Sequence, residues 1–526
     1  MASRQDQTLP LKLFIDKEKQ CVVMAEARRE FVDILFSFLT LPMGTIIRLV
    51  SKQQSAQQPL PGINNLYQSV NKLGTVDLRS EFCKRMLLFP RNPCETLCTK
   101  TKIVVDDTEP TKYSLCSNDH CSRNRNGGEK LVSFFLDARC SCGKLMDRDV
   151  DELENKNVNE EKNGDGVFVK GAAMFLISDD LEIMPNSLGN SVTLLVKHDY
   201  RDFNQLKEVS LNVGLKEILD ILKHALISNS TLTDVFLKKA ATKVECLDSH
   251  LTKLEPKVTS NDKKIDIKVI VSKSKTKILY ADASEEFVDF LFSFLTIPLG
   301  SVIKLLGGNS FLGCLDNLYK SVENLMNSSW CTESGSMLLN LGVASKYSCQ
   351  SQLLNIHEEN PPQLYYGIVM DRNSMWGWSG KISKTDDALE ETEPLTLIDP
   401  RCPPGQAVAY VGFMKKPALF VVDDDLQVTP LSSTSSISFL KKLSISLEDF
   451  EEQVVGIGEK EALNLLRASL TSNSVLSFSL ADILKRVRCA DAGACNVCVF
   501  SSSDKHNYLS LFSLLFHTKS IGQMNS

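Results

Sequence analysis

The sequence predicts an α+β protein of two tandem duplicated units, each with antiparallel hairpins packed against helices. Three observations support this fold class: a long internal repeat, pairs of apolar segments around polar turns, and helical apolar spacing near the end of each unit. A loop segment rich in cysteine is added in the first unit. The length of the repeat indicates globular units rather than a solenoid of short repeats.

The internal repeat is the strongest of these observations. Residues 11–50 align without gaps with residues 267–306, and 19 of the 40 positions are identical. The densest match sets EFVDILFSFLTLP against EFVDFLFSFLTIP. A later block, residues 213–232, matches residues 457–476 at 10 of 20 positions. Because the matching blocks follow one another in the same order, they predict a tandem duplication.

The predicted domain boundaries follow from the repeat and from local composition. The first copy spans residues 8–238 and contains the Cys-rich segment 83–142. Residues 239–265 are charged and polar without a sustained apolar period, which is typical of a linker. The second copy spans residues 266–484, and a divergent tail covers residues 485–526. Each copy is long enough to bury a core.

Apolar periodicity predicts the elements within each copy. LKLFID, from Leu11, and VVMAEA flank a polar turn and predict a hairpin, as MFLIS and LEIM do around Asp179 and Asp180. Pro42 lies where a second helix is expected to begin. Leucine and isoleucine side chains spaced three and four apart from Leu215 predict an amphipathic helix.

Composition limits the function classes. The 526 residues are 43% hydrophobic with a net charge of −6, which indicates a soluble protein and argues against a nucleic-acid-binding face. The most apolar stretch, residues 31–50, contains Asp33, Pro42 and Arg48, so no membrane span is expected. The polar start lacks the apolar core of a signal peptide, which predicts a cytoplasmic or nuclear location with reduced thiols. No known small-molecule ligand is indicated.

Seven of the sixteen cysteines lie between Cys83 and Cys142, which makes this segment the candidate metal site. The sharpest constellation is Cys116-x4-Cys121 followed by Cys140-x-Cys142 and a glycine. Structural zinc takes four thiolate or imidazole ligands, often as two pairs from two turns. Cys116, Cys121, Cys140 and Cys142 are therefore the predicted ligands of a structural zinc ion.

Two other interpretations of these cysteines stay open. They could be free thiols in a loop, or a pair of them could form a redox-active disulfide. The second copy has RCPPG, from Arg401, where the first has RCSCG, from Arg139. Proline therefore replaces one of the two cysteines in the second copy. The second copy cannot build the same four-ligand site.

Paired carboxylates recur near the start of each copy. Glu30 and Asp33 lie three residues apart and are matched by Glu286 and Asp289. They could be paired acids, but negative charge at a helix N-terminus is the favoured interpretation. An enzyme would bring Glu30, Asp33, Lys112 and Tyr113 together in one apolar cleft.

The order of several long sequence strings supports a family resemblance. EFVDxLFSFLTxPxG, NLYxSVxxL, TEPTKYSLC, ARCSCGKLM and a closing LLxxxLxSNSxLT helix occur in this order. The chain thereby resembles a plant family, domain of unknown function 674, over nearly all of both copies. The resemblance implies the fold unit and a plant origin, and it implies no activity.

The repeated residues are mostly apolar, whereas polar residues of catalytic kinds do not recur. We therefore expect a soluble, non-enzymatic binding or scaffold module with a protein partner and a structural zinc site in copy one. The alternative is an enzyme with an unrecognised active site in the crevice between the two copies.

Overall fold

The computed structural model describes most of the chain up to residue 482. The described residues are 7–53, 59–118, 130–135, 138–153, 165–171, 174–197, 200, 203–237, 263–274, 277–370, 378–386, 388–402, 411–431, 441 and 447–482. One compact unit extends to Leu480, and a second unit begins at Ala481. Most of the predicted linker and the whole predicted tail lie outside the described residues, so the predicted boundaries stay predictions.

Both helices and strands are present, which confirms the α+β class. The strands are β1 (Leu9–Asp16), β2 (Val22–Arg28), β3 (Tyr113–Leu115), β4 (Lys130–Ser133), β5 (Arg148–Val150), β6 (Met174–Ser178), β7 (Ile183–Pro185), β8 (Leu206–Val213), β9 (Ile265–Ser272), β10 (Lys277–Ser284), β11 (Leu364–Met370), β12 (Trp378–Ser383), β13 (Glu390–Leu397), β14 (Leu419–Asp423), β15 (Val428–Pro430) and β16 (Phe450–Ile457).

The helices of the described residues are mostly short. They are α1 (Arg29–Ser37), α2 (Met43–Ser51), α3 (Pro61–Lys72), α4 (Glu81–Leu88), α5 (Glu95–Cys98), α6 (Leu188–Lys197), α7 (Leu215–Ala225), α8 (Thr231–Phe236), α9 (Glu285–Ser293), α10 (Leu299–Leu305), α11 (Leu315–Asn327), α12 (Glu333–Met337), α13 (Glu459–Thr471) and α14 (Val475–Ser479).

Two five-stranded antiparallel sheets have the same arrangement. The first has the order β7-β6-β2-β1-β8 and the second has the order β15-β14-β10-β9-β16. The predicted hairpins β1–β2 and β6–β7 are confirmed, the second with Asp179 and Asp180 in its turn. Pro42 directly precedes α2, and α7 begins at Leu215, as periodicity predicted.

A third sheet joins the two halves of the chain, here the residues up to 237 and those from 263. Its order is β12-β11-β13-β4-β3-β5, so three strands come from each half. The halves meet where β13 pairs in parallel with β4, through Leu395 and Lys130 among others. Tyr113, Leu115 and Val132 pack there in one apolar cluster with side chains of the second half. We call this sheet the shared sheet.

The most repeated segments form the interior. Apart from its first two residues, α1 is entirely buried, and the same is true of α9. Phe31, Phe36 and Phe38 are at most 1% exposed, as are Phe287 and Phe290. A helix that is apolar on nearly all sides must be covered on nearly all sides. The strong identity between residues 11–50 and 267–306 therefore reflects packing.

Candidate metal centre

The candidate centre lies at one end of the shared sheet. Strand β3 leads directly into Cys116, and the segment between β4 and β5 carries Cys140 and Cys142. Residues 138–146 fold back on themselves, and we call them the cysteine hairpin. Its ends are joined by the Met146 amide, which donates to the Ala138 carbonyl at 2.8 Å. The hairpin places two thiols beside the end of β3.

A tight turn sets the direction of the two hairpin thiols. The Cys140 amide donates to the Lys144 carbonyl at 2.9 Å, and the Gly143 amide donates to the Cys140 carbonyl at 2.8 Å. Gly143 has a φ of +84°, a backbone conformation that side chains with a Cβ seldom adopt. The glycine that follows the second cysteine pair is thus required by the turn.

The three thiols form a compact group, which we call the three-thiol cluster. The Sγ atoms of Cys116, Cys140 and Cys142 all lie within 4.8 Å of one another, and those of Cys116 and Cys142 are 3.5 Å apart. In a tetrahedral site with zinc–sulfur bonds of about 2.3 Å, neighbouring sulfurs are about 3.8 Å apart. Within the part of the chain that the structure describes, no other group of three possible ligands comes together.

Backbone groups support the cluster. The Asn118 amide donates to the Cys116 Sγ at 3.4 Å, a contact that favours a thiolate at this position. The Ser117 amide donates to the Leu145 carbonyl at 3.2 Å and so joins the end of β3 to the cysteine hairpin. Cys116 and Cys140 are buried, whereas Cys142 is exposed. An ion could therefore reach the cluster from the side of Cys142.

Burial, together with the neighbouring thiols of Cys142 and Cys140, raises the pKa of the Cys116 thiol to about 11. At neutral pH this thiol is protonated in the absence of a metal. Zinc binds thiolates, so metal binding must displace the proton and becomes stronger as pH rises. A cation among the three sulfurs would oppose these effects and lower the pKa of the thiol, because it stabilises the thiolate.

This pKa predicts slow alkylation of Cys116 in metal-free protein. Since its pKa is about 11, roughly one thiol in a thousand is a thiolate at pH 8. We expect iodoacetamide labelling of Cys116 to rise about 100-fold between pH 8 and pH 10, and added zinc to suppress it. Site-resolved mass spectrometry measures the rate. A rise of less than about tenfold would contradict the raised pKa.

Of the four predicted ligands, the structure brings three together. Cys121 lies outside the described residues, and so does His120. In the second half, Arg401 is buried and paired with Asp399 through two contacts of 3.0 and 2.8 Å. The aligned Arg139 is exposed instead. At the aligned position, the second half thus has an ion pair in which the arginine is buried.

The four polar residues that an enzyme would gather do not share one pocket. Lys112 and Tyr113 line a cleft of about 600 Å³ beside β3 and β5. The Glu30 Oε1 lies 3.6 Å from the Arg29 Nε at the start of α1. Asp33 is 3% exposed and accepts hydrogen bonds from the backbone at residues 167–169. Neither carboxylate lines the cleft.

Sequence reasoning missed what Asp33 and Asp289 do. The Asp33 carboxylate accepts hydrogen bonds from three backbone amides. The Asp289 carboxylate accepts hydrogen bonds from the amides of Phe413 and Met414 at 2.7 and 2.8 Å. The interpretation as helix N-terminal charge suits Glu30 and is wrong for Asp33, which anchors a distant segment. The recurrence of this aspartate in a buried apolar helix was the available signal, because a buried carboxylate needs donors.

The fold and the cluster define an α+β protein with three converging thiols at the end of a sheet built from both halves. The family model "Protein of unknown function (DUF674)" matches residues 5–460, so the chain belongs to this family. The resemblance to domain of unknown function 674 is thereby confirmed. None of the curated proteins and none of the solved structures matches the chain.

None of the described helices combines the length and the apolar character needed to cross a membrane.

Proposed function

We propose that the protein is a non-enzymatic binding or scaffold module whose shared sheet is held together by a structural zinc ion. The observation that carries this proposal is the approach of the Cys116, Cys140 and Cys142 sulfurs to within 4.8 Å of one another. Cys121 is the proposed fourth ligand. Thiolate ligands favour zinc among the common divalent ions.

The position of the cluster explains what the ion would do. Strands β3 and β5 have three residues each and β4 has four, lengths at the low end for a sheet. Cys116 continues β3, and the cysteine hairpin lies on the chain between β4 and β5. An ion bound to both would fix the relative position of these strands, so its binding free energy would add to the folding free energy.

None of the eleven cysteines of the described residues forms a disulfide, which fits a reducing compartment. We therefore propose a cytoplasmic or nuclear location. The proposed binding role adds a protein partner. The alternative, an enzyme in the crevice between the copies, has less support, because Asp33 is engaged with backbone amides and Glu30 lies outside the cleft at Lys112.

Replacing Cys140 with serine tests the structural role of the ion. Cys140 is 2% exposed and belongs to the three-thiol cluster. We expect Cys140→Ser to lose bound zinc and to lower Tm by about 3 °C or more, because each kcal/mol of lost stability shifts Tm by a few degrees in a large domain. Differential scanning calorimetry, with zinc measured by atomic absorption on the same sample, gives both quantities.

Cys402→Ser is the matched control, since Cys402 aligns with Cys140 and lies in the second half, outside the cluster. It should retain the zinc and the Tm of the wild type. Equal Tm values for wild type, Cys140→Ser and chelator-treated protein would contradict the structural role.

A further inference from the structure

The two halves contact each other through reciprocal pairs of hydrogen bonds. The Met43 amide donates to the Ile297 carbonyl at 3.0 Å, and the Leu299 amide donates to the Leu41 carbonyl at 3.0 Å. Pro42 and Pro298 thereby face each other across an antiparallel bridge. Residues that align in the sequence thus meet at one point, as they do on the two-fold axis of an isologous dimer.

Each half also places a helix against the sheet of the other. On α3 of the first half, the Ser69 Oγ accepts from the Val428 amide of β15 at 2.9 Å. On α11 of the second half, the Ser321 Oγ accepts from the Ile183 amide of β7 at 2.9 Å. These serines align with each other in the repeat, so α3 and α11 are exchanged between the halves.

The segments held by Asp33 and Asp289 cross between the halves as well. Asp33 holds residues 167–169, and the Phe168 carbonyl there accepts from the Thr332 amide at 3.0 Å. Asp289 holds Phe413, whose carbonyl accepts from the Arg79 amide at 2.9 Å. Each half therefore leaves buried backbone groups that the other half satisfies, and an unsatisfied buried group is costly.

From these reciprocal contacts we infer that each half is the specific binding partner of the other, and that the two associate without a covalent link. The interaction surface of the first half comprises α2, α3 and the 165–170 segment. Its partner is the aligned surface of the second half, which presents α10, α11 and the 411–418 segment. This inference is independent of the zinc ion, because the contacts that carry it lie outside the three-thiol cluster.

The test uses the full chain with a protease site, flanked by glycine and serine residues, inserted after residue 250 in the predicted linker. After cleavage, we expect both fragments to elute together in gel filtration, with the light-scattering mass of one chain. Fragments that elute separately in native buffer would overturn the inference.

A glycine at the contact supplies a sharper variant. A Cβ on Gly62, in α3, would lie 2.7 Å from the Ser469 Cα of α13, whereas one on Gly189, in α6, would meet nothing closer than 4.0 Å. We expect Gly62→Val to weaken the association of the cleaved halves by about tenfold or more, and Gly189→Val to leave it unchanged. Equal association in the two variants would contradict the assigned surface. If Gly62→Val fails to fold, the cleaved wild type still decides.

Discussion

Asp33→Ala is expected to lower the free energy of unfolding by about 3–5 kcal/mol. The carboxylate accepts from the amides of Val167, Phe168 and Val169 at 2.8, 2.8 and 3.2 Å, and alanine would leave these three donors without an acceptor. A buried donor without a partner costs about 1–3 kcal/mol. Urea unfolding followed by circular dichroism measures the change.

Asp151→Ala is the matched control for this change. The Asp151 side chain is 83% exposed and contacts the Lys381 Nζ at 2.8 Å, so its loss should leave stability close to that of the wild type. If both substitutions had equal effects, Asp33 would not be the anchor of residues 167–169.

Asp33 is also expected to make the free energy of unfolding depend on pH. Burial raises the pKa of Asp33 to about 6, against 3.8 for an ordinary aspartate, although three amides act in the opposite sense. The folded protein thus binds the proton of Asp33 more tightly than the unfolded chain does. Protonated Asp33 therefore adds to the free energy of unfolding, fully below pH 3.8, and this contribution is lost as pH rises through 6. Asp33→Asn should reduce the dependence of the free energy of unfolding on pH and leave the part due to other buried carboxyl groups, among them Asp179, whose pKa burial also raises to about 6.

Arg401→Ala is the second change expected to have a large effect, again a loss of about 3–5 kcal/mol. Arg401 is 3% exposed, pairs with both carboxylate oxygens of Asp399, and donates to the Ser348 carbonyl at 2.6 Å. Its guanidinium also lies 5.2 Å from the Phe413 ring centre. Alanine would remove this stacking and leave the Asp399 carboxylate without its cation in a largely buried place.

The aligned arginine gives the control. Arg139 is exposed and contacts the Gly143 carbonyl at 3.1 Å, so Arg139→Ala should unfold at nearly the same urea concentration as the wild type. A second measurement replaces Arg401 and Asp399 together with leucine, which should restore part of the loss because no unpaired charge remains. Equal midpoints for Arg401→Ala and Arg139→Ala would contradict the ion-pair account.

Local elements could be predicted from the sequence because their signals are local. The β1–β2 hairpin, the turn at Asp179 and Asp180, and the helix from Leu215 follow from periodicity over a few residues. The shared sheet could not be predicted in this way. Its parallel pairing joins Lys130 to Leu395, and no local pattern specifies a partner so far along the chain.

The exchange of helices was also beyond sequence reasoning. A repeat indicates two related units, but it does not state whose sheet a helix such as α3 or α11 will cover. The metal centre could be predicted in part from the sequence, since three of the four predicted thiols do converge. The geometry that brings them together depends on the cysteine hairpin, whose glycine was the one signal of a tight turn.

Native mass spectrometry of the purified full chain is the most direct test of the zinc proposal. The wild type should carry one zinc ion per chain, and Cys116→Ser and Cys140→Ser should carry none, with Cys402→Ser like the wild type. Substituted cobalt should give the visible spectrum of a tetrahedral thiolate site. A wild-type chain that is free of metal after preparation with zinc, and that does not bind added zinc, would contradict the account.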